Sequence, residues 1–114
     1  MICDDDAGIL EMMEMIINEF GFEVSTESNN LNVLKSLKQE QPDLLLLDIW
    51  MPLLSGDQVL SSIKADAQFG ALPVIMYSAS AEGRSIAKIA GADEYIAKPF
   101  DMKDLEAKIR QLIA

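Results

Sequence analysis

Alternating short apolar runs and amphipathic segments predict an α/β protein, a three-layer sandwich in which a parallel sheet lies between two layers of helices. Five strand-and-helix units follow one another along the 114 residues. Strands are predicted at about 1–4, 22–26, 43–47, 73–77 and 93–97, and helices at 7–19, 30–39, 57–65, 82–90 and 101–113. Right-handed crossovers place such helices on both faces of a parallel sheet.

The third apolar run is the most informative of the five. Residues 44–47 are four consecutive leucines, too few to cross a membrane but typical of a strand buried on both faces. Asp48 follows them directly. Because ligands bind at the carboxyl ends of strands in open α/β sheets, Asp48 is a candidate functional group, although aspartate is also common in turns.

Polar residues also follow three other predicted strands. Asp4 and Asp5 follow the first strand, Ser78 the fourth and Lys98 the fifth. Asp6 is well placed to cap the first helix, but its two acidic neighbours have no such structural explanation. Each residue alone is ordinary, yet parallel strands would bring the carboxylates, hydroxyl and lysine to one edge of the sheet. The set predicts a small polar site there.

Composition limits the kinds of function. The length and a hydrophobic fraction of 50% suit one domain, 1–114, and the net charge of −10 disfavours direct binding to nucleic acid or anionic membranes. The absence of histidine removes the usual general base and zinc ligand. A lone cysteine, Cys3, suits the core and a reducing cytoplasm, and no segment resembles a signal peptide or membrane helix.

Taken in order, the motifs resemble those of response-regulator receiver domains, the phosphoacceptor modules of two-component signalling. The resemblance covers essentially the whole chain. The motifs are Asp4-Asp5, Asp48 with Met51-Pro52 and Gly56, Ser78-Ala79, Gly91-Ala92-Asp93, Tyr95 and Lys98-Pro99-Phe100. Each is weak alone, but together, in this order and at these strand ends, they are highly specific.

The resemblance implies a flavodoxin-like fold with sheet order 2-1-3-4-5 and the site at its topological switch point. It makes Asp48 the residue that takes a phosphoryl group from a histidine kinase or a histidine phosphotransfer protein. Ser78 and Lys98 would bind the phosphoryl oxygens. The family usually has a cis peptide bond before Pro99.

A magnesium site is implied by the same resemblance. Asp5 and Asp48 would bind Mg²⁺ through carboxylate oxygens, Asp4 would act mainly through a metal-bound water, and the backbone carbonyl of Trp50 would be the remaining protein ligand. Hard oxygen donors are what Mg²⁺ prefers. A cation would also relieve the mutual repulsion of three close carboxylates.

The resemblance further implies a conformational switch. Ser78 would move toward the phosphoryl group and Tyr95 would then rotate inward, which would change the face formed by helix four, strand five and helix five. A downstream protein or output domain would bind that face, and a homodimer across it is common in the family.

Two features depart from the family pattern. Trp50 lies two residues after Asp48, where the family tunes phosphate lifetime, and its bulk should hinder the attacking water. We therefore expect a phosphoacceptor with at most slow self-dephosphorylation, not an enzyme; a partner contact is the other explanation for Trp50. The segment from Ser78 to Gly91 is two residues shorter than expected, which predicts a weak fourth helix and an atypical output face.

Other functions were weighed against this one. A phosphatase of the haloacid dehalogenase type needs a second aspartate where Trp50 stands, and a nucleotide or flavin binder needs a phosphate-cradling loop where residues 4–6 are acidic. A pseudo-receiver that only binds proteins remains an alternative. The start within strand one suggests a truncated strand, and with no output domain after the last helix, both a stand-alone receiver and a part of a larger regulator or hybrid kinase stay open.

Overall fold

The fold is described from a computed structural model that covers residues 1–50 and 54–113, so the predicted Met51-Pro52 motif lies outside the described residues. Five strands and five helices alternate as the sequence predicts. The strands are β1 (Ile2–Cys3), β2 (Thr26–Glu27), β3 (Leu45–Asp48), β4 (Val74–Ser78) and β5 (Glu94–Ala97). The helices are α1 (Ala7–Glu19), α2 (Val33–Glu40), α3 (Gly56–Ala65), α4 (Gly83–Ala90) and α5 (Met102–Ile113).

The strands form one parallel sheet in the order β2-β1-β3-β4-β5, which confirms the predicted order. Cys3 pairs in register with Leu47, and Asp48 pairs with Tyr77. Asp48 is thus the last residue of the central strand. The residues that follow β1, end β3 and end β4 therefore lie at one edge of the sheet.

Alternate residues of β3 enter two separate hydrophobic clusters. Leu45 and Leu47 pack in the cluster that contains the buried residues of α2, α3 and α4, whereas Leu46 packs with those of α1 and α5. Helices therefore cover both faces of the sheet, and the predicted three-layer sandwich is confirmed. Cys3 is buried in the first cluster, and burial raises the pKa of its thiol to about 12. Within the described residues no helix is long and apolar enough to cross a membrane.

Two predicted elements have the wrong bounds. The second strand was predicted at 22–26, but β2 is only Thr26–Glu27, because the neighbouring β1 offers only Ile2 and Cys3 as ladder partners. The second helix was predicted to begin at residue 30. A 3₁₀ turn occupies Asn30–Asn32 instead, and α2 follows it.

The predicted helix ends are confirmed. The Asp6 carboxylate accepts hydrogen bonds from the backbone N–H groups of Gly8 and Ile9 and so caps α1. Asp101 accepts in the same way from the first turn of α5. Gly91 ends α4 with a φ of 91°, a left-handed conformation that favours glycine.

Helix α5 is fastened to the end of α1. The Arg110 guanidinium donates a hydrogen bond of 2.8 Å to the carbonyl of Phe20, lies over the ring of Phe22 at 4.9 Å and pairs with Glu106 at 2.9 Å. Helix α4 is shorter, at eight residues, and fully buries only Gly83 and Ala87. The two helices of the predicted output face are therefore unequally anchored.

Candidate functional site

Three carboxylates converge at the edge of the sheet where the strands end. Asp4 and Asp5 follow β1, and Asp48 ends the adjacent β3. One ligand oxygen from each lies within 4.8 Å of the other two. Asp4 and Asp48 are buried, whereas Asp5 is exposed. The structure therefore brings the three predicted metal-binding acids together.

Asp48 is hard to ionise without a cation. Burial and the negative charge of Asp4 raise its pKa to about 6, although the Lys98 ammonium and a hydrogen bond with the Trp50 backbone oppose this shift. A divalent cation would favour the ionised form, and a cluster of carboxylate oxygens suits Mg²⁺. The acid cluster therefore fits the magnesium site that the family implies.

Lys98 reaches the acids from the end of β5. Its Nζ lies 3.8 Å from Oδ2 of Asp4, and its side chain is 22% exposed. The backbone N–H of Lys98 donates to the Ser78 carbonyl at 2.9 Å, which ties this turn to β4. The peptide bond between Lys98 and Pro99 is cis, in agreement with the family pattern. The predicted lysine is thus beside the acids.

Ser78 and Tyr95 lie on the neighbouring strands β4 and β5. The Ser78 side chain is buried, and its hydroxyl accepts a hydrogen bond from the backbone N–H of Ser80. The Tyr95 hydroxyl donates to the Ser78 carbonyl at 3.2 Å, so Tyr95 is turned inward in this structure. An added Cβ on Gly83 would overlap the Tyr95 hydroxyl and come within 2.8 Å of the Ser78 Cβ. A glycine at the start of α4 therefore leaves room for the inward tyrosine.

The chain returns closely to Asp48 after the loop that follows it. Gly56 donates a backbone hydrogen bond of 2.8 Å to the Ile49 carbonyl, and a Cβ there would overlap the Asp48 backbone. Only glycine fits this contact, which gives a physical reason for Gly56 in the motif. Trp50 is 52% exposed beside the site. Its carbonyl as a metal ligand stays a prediction.

Tyr77 belongs to the site although no motif included it. Its hydroxyl donates a hydrogen bond of 2.7 Å to Oδ2 of Asp4, and its ring lies 4.9 Å from Nζ of Lys98. The sequence places Tyr77 in an apolar strand, where an aromatic residue is expected. The available signal was that a buried tyrosine hydroxyl needs a partner.

A cavity of about 410 Å³ lies elsewhere, at the opposite edge of the sheet. Its lining includes Phe22, Pro42 and Leu44 and contains none of the predicted site residues. Enclosed volume is the usual sign of a small-molecule site, but a shallow acidic edge suits a hydrated cation and a phosphoryl group. The chemistry therefore points to the acid cluster.

The fold and the acid cluster define a doubly wound α/β protein with a polar site at the carboxyl ends of its strands. The family model of the response regulator receiver domain matches residues 1–110. The chain therefore belongs to the receiver domains of two-component response regulators.

Named relatives and solved structures agree with this assignment. The chain is 37% identical over 115 residues to the probable transcriptional regulator ycf27 of Guillardia theta and 33% identical over 113 residues to the transcriptional regulatory protein PrrA of Mycobacterium tuberculosis. These matches cover 99% of this chain but 44% and 48% of those proteins, so the chain spans about half their length.

Two solved receiver domains share the fold over most of both chains. The receiver domain of NtrX from Brucella abortus has a TM-score of 0.88 at 28% identity and covers 98% of this chain and 95% of its own. A CheY-like receiver domain protein from Methanospirillum hungatei JF-1 has a TM-score of 0.85 at 32% identity and covers 98% and 90%.

Proposed function

We propose that Asp48 accepts a phosphoryl group from the phosphohistidine of a histidine kinase or a phosphotransfer protein, and that this modification changes the affinity for a protein partner. The carrying observation is the convergence of three carboxylates and a lysine at one edge of the sheet. In the transfer, the bond between phosphorus and the donor imidazole nitrogen breaks as a bond to an Asp48 oxygen forms. The imidazole nitrogen then takes a proton from solvent.

Three acids of the cluster would hold Mg²⁺, with Asp5 and Asp48 as direct ligands and Asp4 acting through a water. When bound, the metal ion supplies positive charge that favours ionised Asp48 and offsets the charge of the transferred group. Lys98 would bind one phosphoryl oxygen, and Ser78 another. A carboxylate is a weak nucleophile, so the transfer depends mainly on positioning and charge.

The switch would pass from β4 to α4. Ser78 ends β4 and touches Tyr95 through its carbonyl, and Arg84 of α4 lies 5.2 Å above the Tyr95 ring. A shift of Ser78 toward a phosphoryl group would therefore disturb Tyr95 and the first turn of α4. A partner or output domain that binds the face of α4, β5 and α5 would sense this change. A homodimer across that face stays a prediction.

The pseudo-receiver alternative is not supported. A domain that only binds proteins has no need for three carboxylates within reach of one cation. We also propose that the acyl phosphate is long-lived, because the bulky Trp50 stands close to Asp48 and should hinder the attacking water. Turnover would then be slow self-dephosphorylation at most.

The test follows Trp50 fluorescence, since this is the single tryptophan. Mg²⁺ and then beryllofluoride, a stable mimic of a bound phosphoryl group, are titrated into the native chain, Asp48→Ala and Glu11→Gln. The last variant removes an exposed carboxylate of α1 and serves as the control. We expect a saturable, Mg²⁺-dependent response in the native chain and control that is lost in Asp48→Ala.

Mass spectrometry with phosphoramidate should show one added phosphoryl group under the same conditions. No response and no added mass in the native chain would refute the proposal and favour a constitutive binding module. A response that survives in Asp48→Ala would move the phosphoacceptor to another residue.

A further inference from the structure

We infer that Tyr77 is a positioning residue of the phosphoacceptor site, where its hydroxyl orients Asp4 and its ring supports Lys98. This inference rests on the proposed function and adds a residue that none of the family motifs above contains.

The hydroxyl reaches Asp4 across the sheet. Tyr77 lies in β4, two strands away from β1, and pairs in register with Asp48 of the intervening β3. It is fully buried, and its hydroxyl donates 2.7 Å to Oδ2 of Asp4, which is itself 1% exposed. Charge-assisted hydrogen bonds of this length are strong. Because the contact is shielded from water, it has no solvent substitute if the hydroxyl is removed.

The Asp4 carboxylate is held from both sides. The backbone N–H of Asp6 donates 2.9 Å to Oδ1, while Tyr77 donates to Oδ2. A carboxylate with both oxygens engaged keeps one rotamer, and it still has lone pairs for a water. This suits an acid that would act through a metal-bound water, because groups that orient such ligands affect metal affinity strongly.

The ring and the hydroxyl together set the position of Lys98. The ammonium lies 4.9 Å from the ring centroid and 3.8 Å from Oδ2 of Asp4, which is longer than a hydrogen bond. Phe100 packs edge-on against the same ring at 5.5 Å. Since Tyr77 already donates to Oδ2, Lys98 need not close onto Asp4 and stays available to a phosphoryl oxygen.

The experiment separates the hydroxyl from the ring. Tyr77→Phe removes only the hydroxyl, whereas Tyr77→Leu removes the ring as well, and Ile75→Val is the control for a small loss of buried volume on the same face of β4. For each variant the Kd of Mg²⁺ is measured by Trp50 fluorescence and the rate of phosphorylation by phosphoramidate is measured by mass. Urea unfolding reports stability.

Tyr77→Phe should weaken Mg²⁺ binding about tenfold, the lower end of the effect of removing a group that orients a metal ligand. Phosphorylation at saturating Mg²⁺ should slow as Lys98 closes onto Asp4, and Tyr77→Leu should slow it further. Ile75→Val should leave both unchanged. In an Asp4→Asn background Tyr77→Phe should have no further effect on Mg²⁺ affinity, a coupling that general destabilisation would not produce.

The outcomes are distinguishable. If the native chain binds no Mg²⁺ and takes no phosphoryl group, the proposed function fails. If it does both and Tyr77→Phe stays within twofold of it, the function stands and this inference is overturned, as it is if the effect persists in Asp4→Asn. Should Tyr77→Phe not fold, the proton resonance of the buried Tyr77 hydroxyl in the native chain must shift on addition of Mg²⁺, and no shift overturns the inference.

Discussion

Removing the charge of Asp48 should stabilise the chain when no metal is present. The pKa of this buried carboxyl rises from 3.8 to about 6 on folding, mainly because of burial and then because of Asp4. The folded state therefore holds more protons than the unfolded state between these pH values. The free energy of unfolding falls as the pH rises through that window and stays lowered above it.

The magnitude follows from the shift. A change of about two pKa units at roughly 1.36 kcal/mol per unit corresponds to about 3 kcal/mol above pH 6. Asp48→Asn keeps the shape and removes the charge, so we expect it to raise the free energy of unfolding by about 1–3 kcal/mol at pH 7.5 in EDTA. At pH 4 the native carboxyl is largely protonated, and the gain should shrink toward zero.

Urea unfolding followed by circular dichroism measures this difference at both pH values. Glu11→Gln is the matched control because it changes the net charge equally at an exposed position of α1. An equal gain in Glu11→Gln would assign the effect to overall charge. An Asp48→Asn variant that is no more stable than the native chain at pH 7.5, or equally more stable at both pH values, would refute the reasoning.

Three further predictions concern the metal ion, the switch and the phosphate lifetime. Because Asp48 with a pKa of about 6 is only about one-tenth ionised at pH 5, the Kd of Mg²⁺ by fluorescence should be about tenfold higher there than at pH 7.5; a constant Kd would contradict this. Gly83→Ala should expel Tyr95 and cost about 1–3 kcal/mol of stability. Tyrosine nitration mapped by mass should then increase at Tyr95 but not at Tyr77, and a more stable variant would count against the predicted overlap. Trp50→Asn should shorten the life of the acyl phosphate severalfold, as followed by the loss of phosphoryl mass, and an unchanged lifetime would leave Trp50 as a partner contact.

Local patterns were sufficient to predict the sheet and the acid cluster. Four leucines before Asp48 indicate a strand buried on both faces, and parallel pairing then fixes the shared edge. The length of β2 was not predictable because a ladder extends only as far as its neighbour β1, which is not a local property.

The roles of Tyr77 and Gly83 were equally hidden from local patterns. Both depend on contacts between elements far apart in the chain, such as the hydroxyl of Tyr77 with Asp4, 73 residues away. A strand pattern predicts that Tyr77 is buried, but not which polar group its hydroxyl meets. A glycine near a helix start suggests only a weak helix, and the overlap with Tyr95 appears only in three dimensions.

The anchoring of α5 by Arg110 has a consequence for how local opening is distributed in the fold. Backbone amides of α5 should exchange with deuterium slowly, because its opening also breaks contacts at the end of α1. Those of α4 should exchange early, since this helix is short and has few buried side chains. The free energy needed to rearrange α4 is then a small part of the total, so one covalent modification can redistribute the conformational ensemble of the output face without loosening the core.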